Sequence, residues 1–257
     1  MSPIKKSTPK QDGFWMPGEF EPQKQVWMLW PIRTDVWRDG AKPAQEAYAR
    51  VAEAICQFEP VTMGVSKEQY TNARAMLPKG VRVVEMSSND AWMRDMAPAF
   101  VINGSGTVRG VDWGFNAWGG LTDGLYFPWD QDAMIAEKIC SLEGMRRYDA
   151  TDFICENGSI HTDGEGTLLT TEMCLLSAGR NPQLSKRQIE EKLSEYLNIE
   201  KVIWLKDGMD PAETNGHIDD VACFVKPGEV ACIWTEDPED PFCLLYTSPS
   251  PRDMRRS

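Results

Sequence analysis

Apolar residues recur at spacings of three and four in three stretches: AQEAYARVAEAICQF from Ala44, DQDAMIAEKICSLE from Asp130 and SKRQIEEKLSEYLN from Ser185. That period predicts three amphipathic helices. Asp130 and Ser185 stand at helix starts, where a side-chain oxygen can take the first free amides, so both are expected N-caps. Short apolar runs, VTMGV from Val61, TLLTT from Thr167, KVIWL from Lys201 and VACIW from Val230, predict strands. Polar turn signals separate them. Asn103-Gly104-Ser105-Gly106, Asp163-Gly164-Glu165-Gly166 and Lys226-Pro227-Gly228-Glu229 each read as a hairpin connection.

The three turns start 60 and 63 residues apart, and related segments precede them: DAWMRDMAPAFV from Asp90, NGSIHTDG from Asn157 and NGHIDDVACFV from Asn215. The spacing predicts a repeated unit of strand, helix, strand and hairpin. One such unit cannot bury its own apolar face, so copies must pack together, and radial closure like a propeller is an economical solution. The expected fold class is α/β, with polar groups of equivalent segments converging at the centre.

Composition narrows the function. Of 257 residues 42% are hydrophobic, as in a protein that buries a core, and no apolar run reaches the roughly 18 residues of a membrane span. The first twelve residues, MSPIKKSTPKQD, are polar, which argues against a secretion signal. Seven cysteines without a CxxC pair favour reduced thiols in a cytoplasmic setting. A net charge of −12 disfavours nucleic acid and anionic membranes and suits a small cationic partner; a homo-oligomer stays open. Residues 1–12 are read as a polar extension and 13–242 as the domain. The stretch CLLYTSPSPRDMRRS, 243–257, is similar to translated adapter sequence and is expected to be foreign to the protein.

Two histidines are the candidates for acid–base chemistry. His217, in Gly216-His217-Ile218-Asp219-Asp220, enters a strand candidate, where His217 and Asp219 would share a face and the carboxylate would orient the imidazole and favour its protonated form. That pair suits general acid–base catalysis, and equally a structural hydrogen bond. His161 has a similar setting in Ser159-Ile160-His161. Glu156 precedes Asn157-Gly158, and Asp95 aligns with Asp219 when Phe100-Val101 is matched to Phe224-Val225. Together with Trp92 and Trp118, these carboxylates would make a receptacle for a planar cation through paired hydrogen bonds and stacking. Two other readings stay open here: a metal hydrolase with His217, Asp219, Asp220 and His161 as ligands, and a non-catalytic cation-binding protein.

GFWMPGEFEPQKQVWMLWPIRTDVWRDGAKPAQEAYARVAEAI, NDAWMRDMAPAFV, ENGSIHTDGEGTLLTTEMCLL and ETNGHIDDVACFVKPGEV together resemble the agmatine deiminases, guanidine-modifying hydrolases related to peptidyl-arginine deiminases; the likeness covers residues 13–241. The resemblance implies a pentein-type α/β propeller of five pseudo-repeats, incomplete here because C-terminal repeats are missing. It implies conversion of agmatine and water to N-carbamoylputrescine and ammonia in putrescine and polyamine biosynthesis, without metal or cofactor, with arginine or peptidyl-arginine as alternative substrates. A cysteine thiolate would attack the guanidinium carbon and form an amidino-cysteine. By the matching motifs Asp95 and Asp219 would hold the guanidinium, His217 would shuttle protons, and Glu156 would assist it. The family's nucleophile lies in a Gly-rich segment ending in His-Cys that this chain lacks, and Cys223 and Cys232 sit in apolar strand patterns; the chain is expected to be inactive and prone to aggregate through open strand edges. Asn157 stands where the family tends to have glycine, a turn that asparagine tolerates at positive φ.

Overall fold

In the computed structural model, which describes residues 2–209 and 211–235, Val61–Val65 is buried at every position. It pairs in parallel with Val26–Leu29 on one side and Arg82–Glu85 on the other, and the helices Lys42–Ile55 and Tyr70–Met76 make the crossovers. A central parallel strand covered by helices has no solvent face, which is why VTMGV reads as a continuous apolar run. The 42–55 helix carries proline in its first turn, where the missing N–H would have no partner anyway.

From residue 99 onward the chain repeats one topology. Ala99–Asn103 and Val108–Gly114 form a hairpin, the helix Ile135–Leu142 follows, and Arg147–Ile154 returns parallel to Val108–Gly114. His161–Thr162 and Thr167–Thr171 then form a hairpin, the helix Lys186–Leu197 follows, and Lys201–Leu205 returns parallel to Thr167–Thr171. A third hairpin joins Ala222–Lys226 to Glu229–Cys232. The first two turns are alike atom by atom. Asn103 Oδ1 accepts the amides of Ser105 and Thr107 at 3.2 and 2.9 Å, and Asp163 Oδ1 accepts those of Glu165 and Thr167 at 2.9 and 2.8 Å. Asx side chains pre-shape these turns, so the 60-residue spacing in sequence is a structural period.

The strands form four small sheets, and none of them closes on itself among the described residues. The architecture is mixed α/β. Its largest core lies where the 99–154 and 161–205 units meet and includes Phe14, Val111, Tyr148, Phe153, Leu168 and Leu193. A second core, with Leu29, Met93, Met96, Trp118, Tyr126 and Ile139, lies under the candidate site. No described helix is long and apolar enough to cross a membrane. The 243–257 tail lies outside the described residues.

Ser185 caps its helix in a reciprocal box with Gln188, and Asn198 ends the same helix in the left-handed region at φ 59°. Ser185→Ala is expected to cost about 1 kcal/mol, read by urea melts. Asp130 is not a cap. The predicted 130–143 helix opens with a 3-10 turn at Asp132–Met134 and becomes regular only at Ile135, while Asp130 accepts from the side chain of Asn89. Asp132 takes the role of local organiser: it accepts the Asn89 amide at 2.7 Å and the Tyr126 hydroxyl at 2.5 Å.

Candidate active site

His217 and Asp219 do not lie in a strand. The strand begins at Ala222, and both residues belong to the loop before it, reached through Asn215 and Gly216 at φ 59° and 76°. They still face one another, with His217 Nδ1 3.8 Å from Asp219 Oδ1. Asp95 sits in the four-residue helix Met93–Met96, whose two methionines are anchored in the core, and its Oδ1 is also 3.8 Å from His217 Nδ1. Glu156 immediately precedes the 3-10 turn Asn157–Ser159, and its Oε2 is 3.8 Å from His217 Nε2 on the opposite edge of the ring. Three segments distant in sequence thus surround one imidazole that is 2% exposed.

Gly158 is the point on which they close. Its N–H donates to Asp95 Oδ1 at 3.1 Å and its carbonyl accepts from the Asp219 amide at 3.3 Å. A Cβ at this position would stand 2.6 Å from Asp95 Oδ1, 2.6 Å from His217 Nδ1 and 2.8 Å from Asp219 Oδ2. Only a residue without a side chain allows such an approach. Asn157 needs no positive φ: it lies in the 3-10 turn, and its amide donates to the Ala97 carbonyl at 2.7 Å, tying this turn to the Asp95 segment.

The electrostatics follow from burial and crowding. Burial alone would depress the His217 imidazole, but the Asp95 carboxylate, with Cys174 and Glu156, holds it well above the ordinary histidine range. Burial raises Asp95, against the pull of His217. Burial, with Asp95 close by, pushes Asp219 up to about 6, although His217 draws it down. Burial would raise Glu156 too, yet the Arg180 guanidinium beside it and the His217 ring hold it down at about 2. The site therefore combines a protonated imidazole with one firmly ionised carboxylate and two that ionise with more difficulty.

The two tryptophans occupy different positions. Trp92, 38% exposed, stacks on Trp37 at 5.2 Å, and both indole N–H groups donate to the buried Asp90. Trp118 is buried and donates its indole N–H to Asp95 Oδ2 at 3.1 Å.

His161 is elsewhere engaged. Its Nε2 meets Glu19 at 2.9 Å and its Nδ1 accepts the Phe224 amide at 3.2 Å, so the four-residue metal set of His217, Asp219, Asp220 and His161 has no free ligand atom from His161. The one group of metal-ligand types that comes together among the described residues is Glu156, Cys174 and His217, with ligand atoms within 4.8 Å of one another. Cys174, Arg180, Arg94 and Glu19 join this region, although no motif spacing in the sequence marks them as site residues. Arg94 pairs with Glu19 in a two-pronged contact and lies 3.8 Å from Asp219 Oδ2, and His161 and Arg94 hold Glu19 down at about 2. Each of these contacts joins residues far apart in the chain, so only the position of Arg94 next to Asp95 in sequence offers a local signal.

The Porphyromonas-type peptidyl-arginine deiminase family matches residues 15–248. A Pseudomonas aeruginosa agmatine deiminase is 58% identical over 236 residues, covering 91% of this chain and 64% of its own length. A solved agmatine deiminase of Enterococcus faecalis superposes with a TM-score of 0.94 at 62% identity, covering 99% of this chain and 68% of that one. A C. jejuni agmatine deiminase with substrate bound, in a cysteine-to-serine form, superposes at 0.78 with 28% identity, covering 89% and 67%. The chain spans 65% of the length of a curated Enterococcus faecalis relative that is 66% identical to it. With a family match over most of its length and close structural relatives, the chain belongs to the Porphyromonas-type peptidyl-arginine deiminase family.

Proposed function

We propose that these residues form the guanidinium-binding and proton-transfer part of an agmatine deiminase, which converts agmatine and water to N-carbamoylputrescine and ammonia. The observation that carries the reading is the closure of Asp95, His217 and Asp219 on Gly158. A guanidinium stays protonated at neutral pH, and desolvating it requires carboxylates that match its fork of N–H groups. Asp95 and Asp219 supply them. Trp92, on the segment that carries Asp95, offers a partly exposed ring edge-on to Trp118, and Trp118 holds Asp95 in place.

The chemistry assigned to His217 follows from its charge. As a cysteine thiolate adds to the guanidinium carbon, the imidazolium passes its proton to the departing nitrogen, the C–N bond breaks and ammonia leaves. Water then adds to the amidino-cysteine and gives a proton to His217. The C–S bond breaks, the thiolate and N-carbamoylputrescine are released, and the remaining hydroxyl proton passes to solvent, where the released ammonia takes it up as ammonium. Glu156, ionised throughout, stabilises the imidazolium and the bound cation.

We place the nucleophile outside the described residues, among which Cys174 is the one cysteine grouped with Glu156 and His217. Burial raises the thiols of Cys140, to about 12, and of Cys155, well above the ordinary range, and a raised thiol is a poor nucleophile. Cys174 is near His217 but fully enclosed, leaving a substrate carbon no approach. The cysteine-to-serine substitution in the substrate-bound C. jejuni relative supports a cysteine mechanism. The reading also places the repeated units in a pentein-type α/β propeller and the protein in the cytoplasm, in putrescine and polyamine biosynthesis.

The test offers agmatine, arginine and an arginine peptide to this chain and measures binding, ammonia and carbamoyl product. Agmatine is expected to bind in preference to the others, without turnover. Ammonia release that Cys174→Ser abolishes would put the nucleophile at Cys174, and failure to bind any guanidinium would overturn the reading. The pH dependence has a defined sign. Asp219 ionises near 6 when folded, against 3.8 for the free side chain, so it favours the folded state below pH 4 and that contribution is lost as pH rises to about 6. Cation binding runs the other way, and agmatine affinity is expected to fall roughly tenfold between pH 7 and 5 by calorimetry.

A further inference from the structure

Arg180 is a fully buried guanidinium in the turn after the short helix Glu172–Leu175. Nε lies 2.9 and 3.1 Å from the two oxygens of Glu156. Nη1 donates to the Trp118 carbonyl and, at 2.7 Å, to Asn215 Oδ1; Nη2 donates to the Thr214 carbonyl at 2.9 Å. The acceptors lie on three separate segments, and each segment carries a residue of the candidate site: Trp118, which holds Asp95; Glu156; and the loop that delivers His217. Two of the gripped residues, Trp118 and Asn215, have φ of 64° and 59°. Residues other than glycine adopt this left-handed backbone only where the surroundings impose it. A planar fork of donors is what spans acceptors spread in this way, and an ammonium does not.

We propose that Arg180 is the positioning residue of this site, one guanidinium that fixes Glu156 against His217 and locks the Trp118 and Thr214–His217 loops into a single frame. The proposal rests on the functional reading above for the meaning of the site, but its geometry does not depend on the substrate. The groups facing Glu156 are Arg180, His217, Cys174, Asp95 and the neighbouring Cys155, and Arg180 is the one permanent cation among them. Its presence assigns Glu156 an electrostatic task and leaves proton carriage to His217.

The test uses the whole 257-residue chain with Arg180→Met and Arg180→Lys. Carbon-13 NMR of glutamate carboxyl groups, with Glu156→Gln to assign the signal, follows the ionisation of Glu156, and calorimetry follows agmatine. In the unsubstituted chain Glu156 is expected to remain a carboxylate down to about pH 4. R180M is expected to raise its midpoint by at least about two pH units and to weaken agmatine about 100-fold, because a buried carboxylate has lost its cation. R180K is expected to restore the ionisation while recovering only part of the affinity and shifting the Thr214–His217 amide signals, since one ammonium cannot reach every acceptor. A folded R180M with an unchanged Glu156 midpoint would reduce Arg180 to a packing role and overturn the proposal. Should R180M not fold, R180K decides: unshifted loop amides with undiminished affinity would overturn it. If the unsubstituted chain does not bind agmatine, the functional reading fails while the Glu156 midpoint still decides the role of Arg180.

Discussion

Gly158→Ala is expected to weaken agmatine binding about 100-fold and to cost roughly 1–3 kcal/mol of stability, the range for forcing a methyl into a filled site. The methyl would have to stand 2.6 Å from both Asp95 Oδ1 and His217 Nδ1. Asp95 has little room to retreat, since Met93 and Met96 fix its short helix in the core and Trp118 holds its other oxygen. The loop that carries both His217 and Asp219, whose carboxylate is 30% exposed, is the part that yields, and its departure removes one of the two carboxylates offered to the cation. Gly80→Ala is the control. A Cβ there meets nothing within 4 Å, and neither binding nor stability is expected to change. Calorimetry and urea melts on the two variants separate a site effect from a general loss of fold.

Arg147→Met is expected to destabilise the fold by about 3–5 kcal/mol at neutral pH, because it strands a buried charge. Arg147 Nη1 pairs with Asp112 Oδ2 at 2.7 Å, and both side chains are less than a tenth exposed. Burial already pushes Asp112 up to about 6 despite Arg147. Without the cation Asp112 must take a proton to remain inside, so the variant is expected to regain stability as pH falls, and Arg147→Met combined with Asp112→Asn should recover much of the loss. Arg82→Ala breaks an ion pair with Glu143 whose partners are 47% and 27% exposed, and is expected to cost under about 1 kcal/mol. Equal losses in Arg147→Met and Arg82→Ala would contradict this ordering.

The sequence exposed those features that short-range physics controls. Val61–Val65 could be read because a buried parallel strand is apolar at successive positions, Lys201–Leu205 because its run VIWL is apolar although the strand lies at a sheet edge and is only half-buried, and the hairpins because Asn103 and Asp163 shape their own turns. The period of these turns then pointed to the convergence of Asp95 with Asp219, although no local pattern joins them. Sequence and structure part where tertiary contacts outweigh local preference. Asp130 looked like a helix cap, but Asn89 draws it away and the first turn tightens to a 3-10 turn. His217 and Asp219 looked like strand residues, but the grip of Arg180 on Thr214 and Asn215 keeps that stretch a loop. Arg180 itself gave no sign, because its partners lie 24, 35 and 62 residues away.

The central claim, that Asp95, His217 and Asp219 receive a guanidinium, is tested most directly by imidazole NMR, because the chain contains only two histidines. Agmatine added at neutral pH should shift the His217 ring signals in a saturable way and leave His161, held by Glu19 and the Phe224 amide, unmoved. Putrescine, which lacks the guanidinium, should leave both signals in place, and Asp219→Asn should abolish the agmatine response. A His217 ring that ignores agmatine, or answers putrescine equally, would contradict the account.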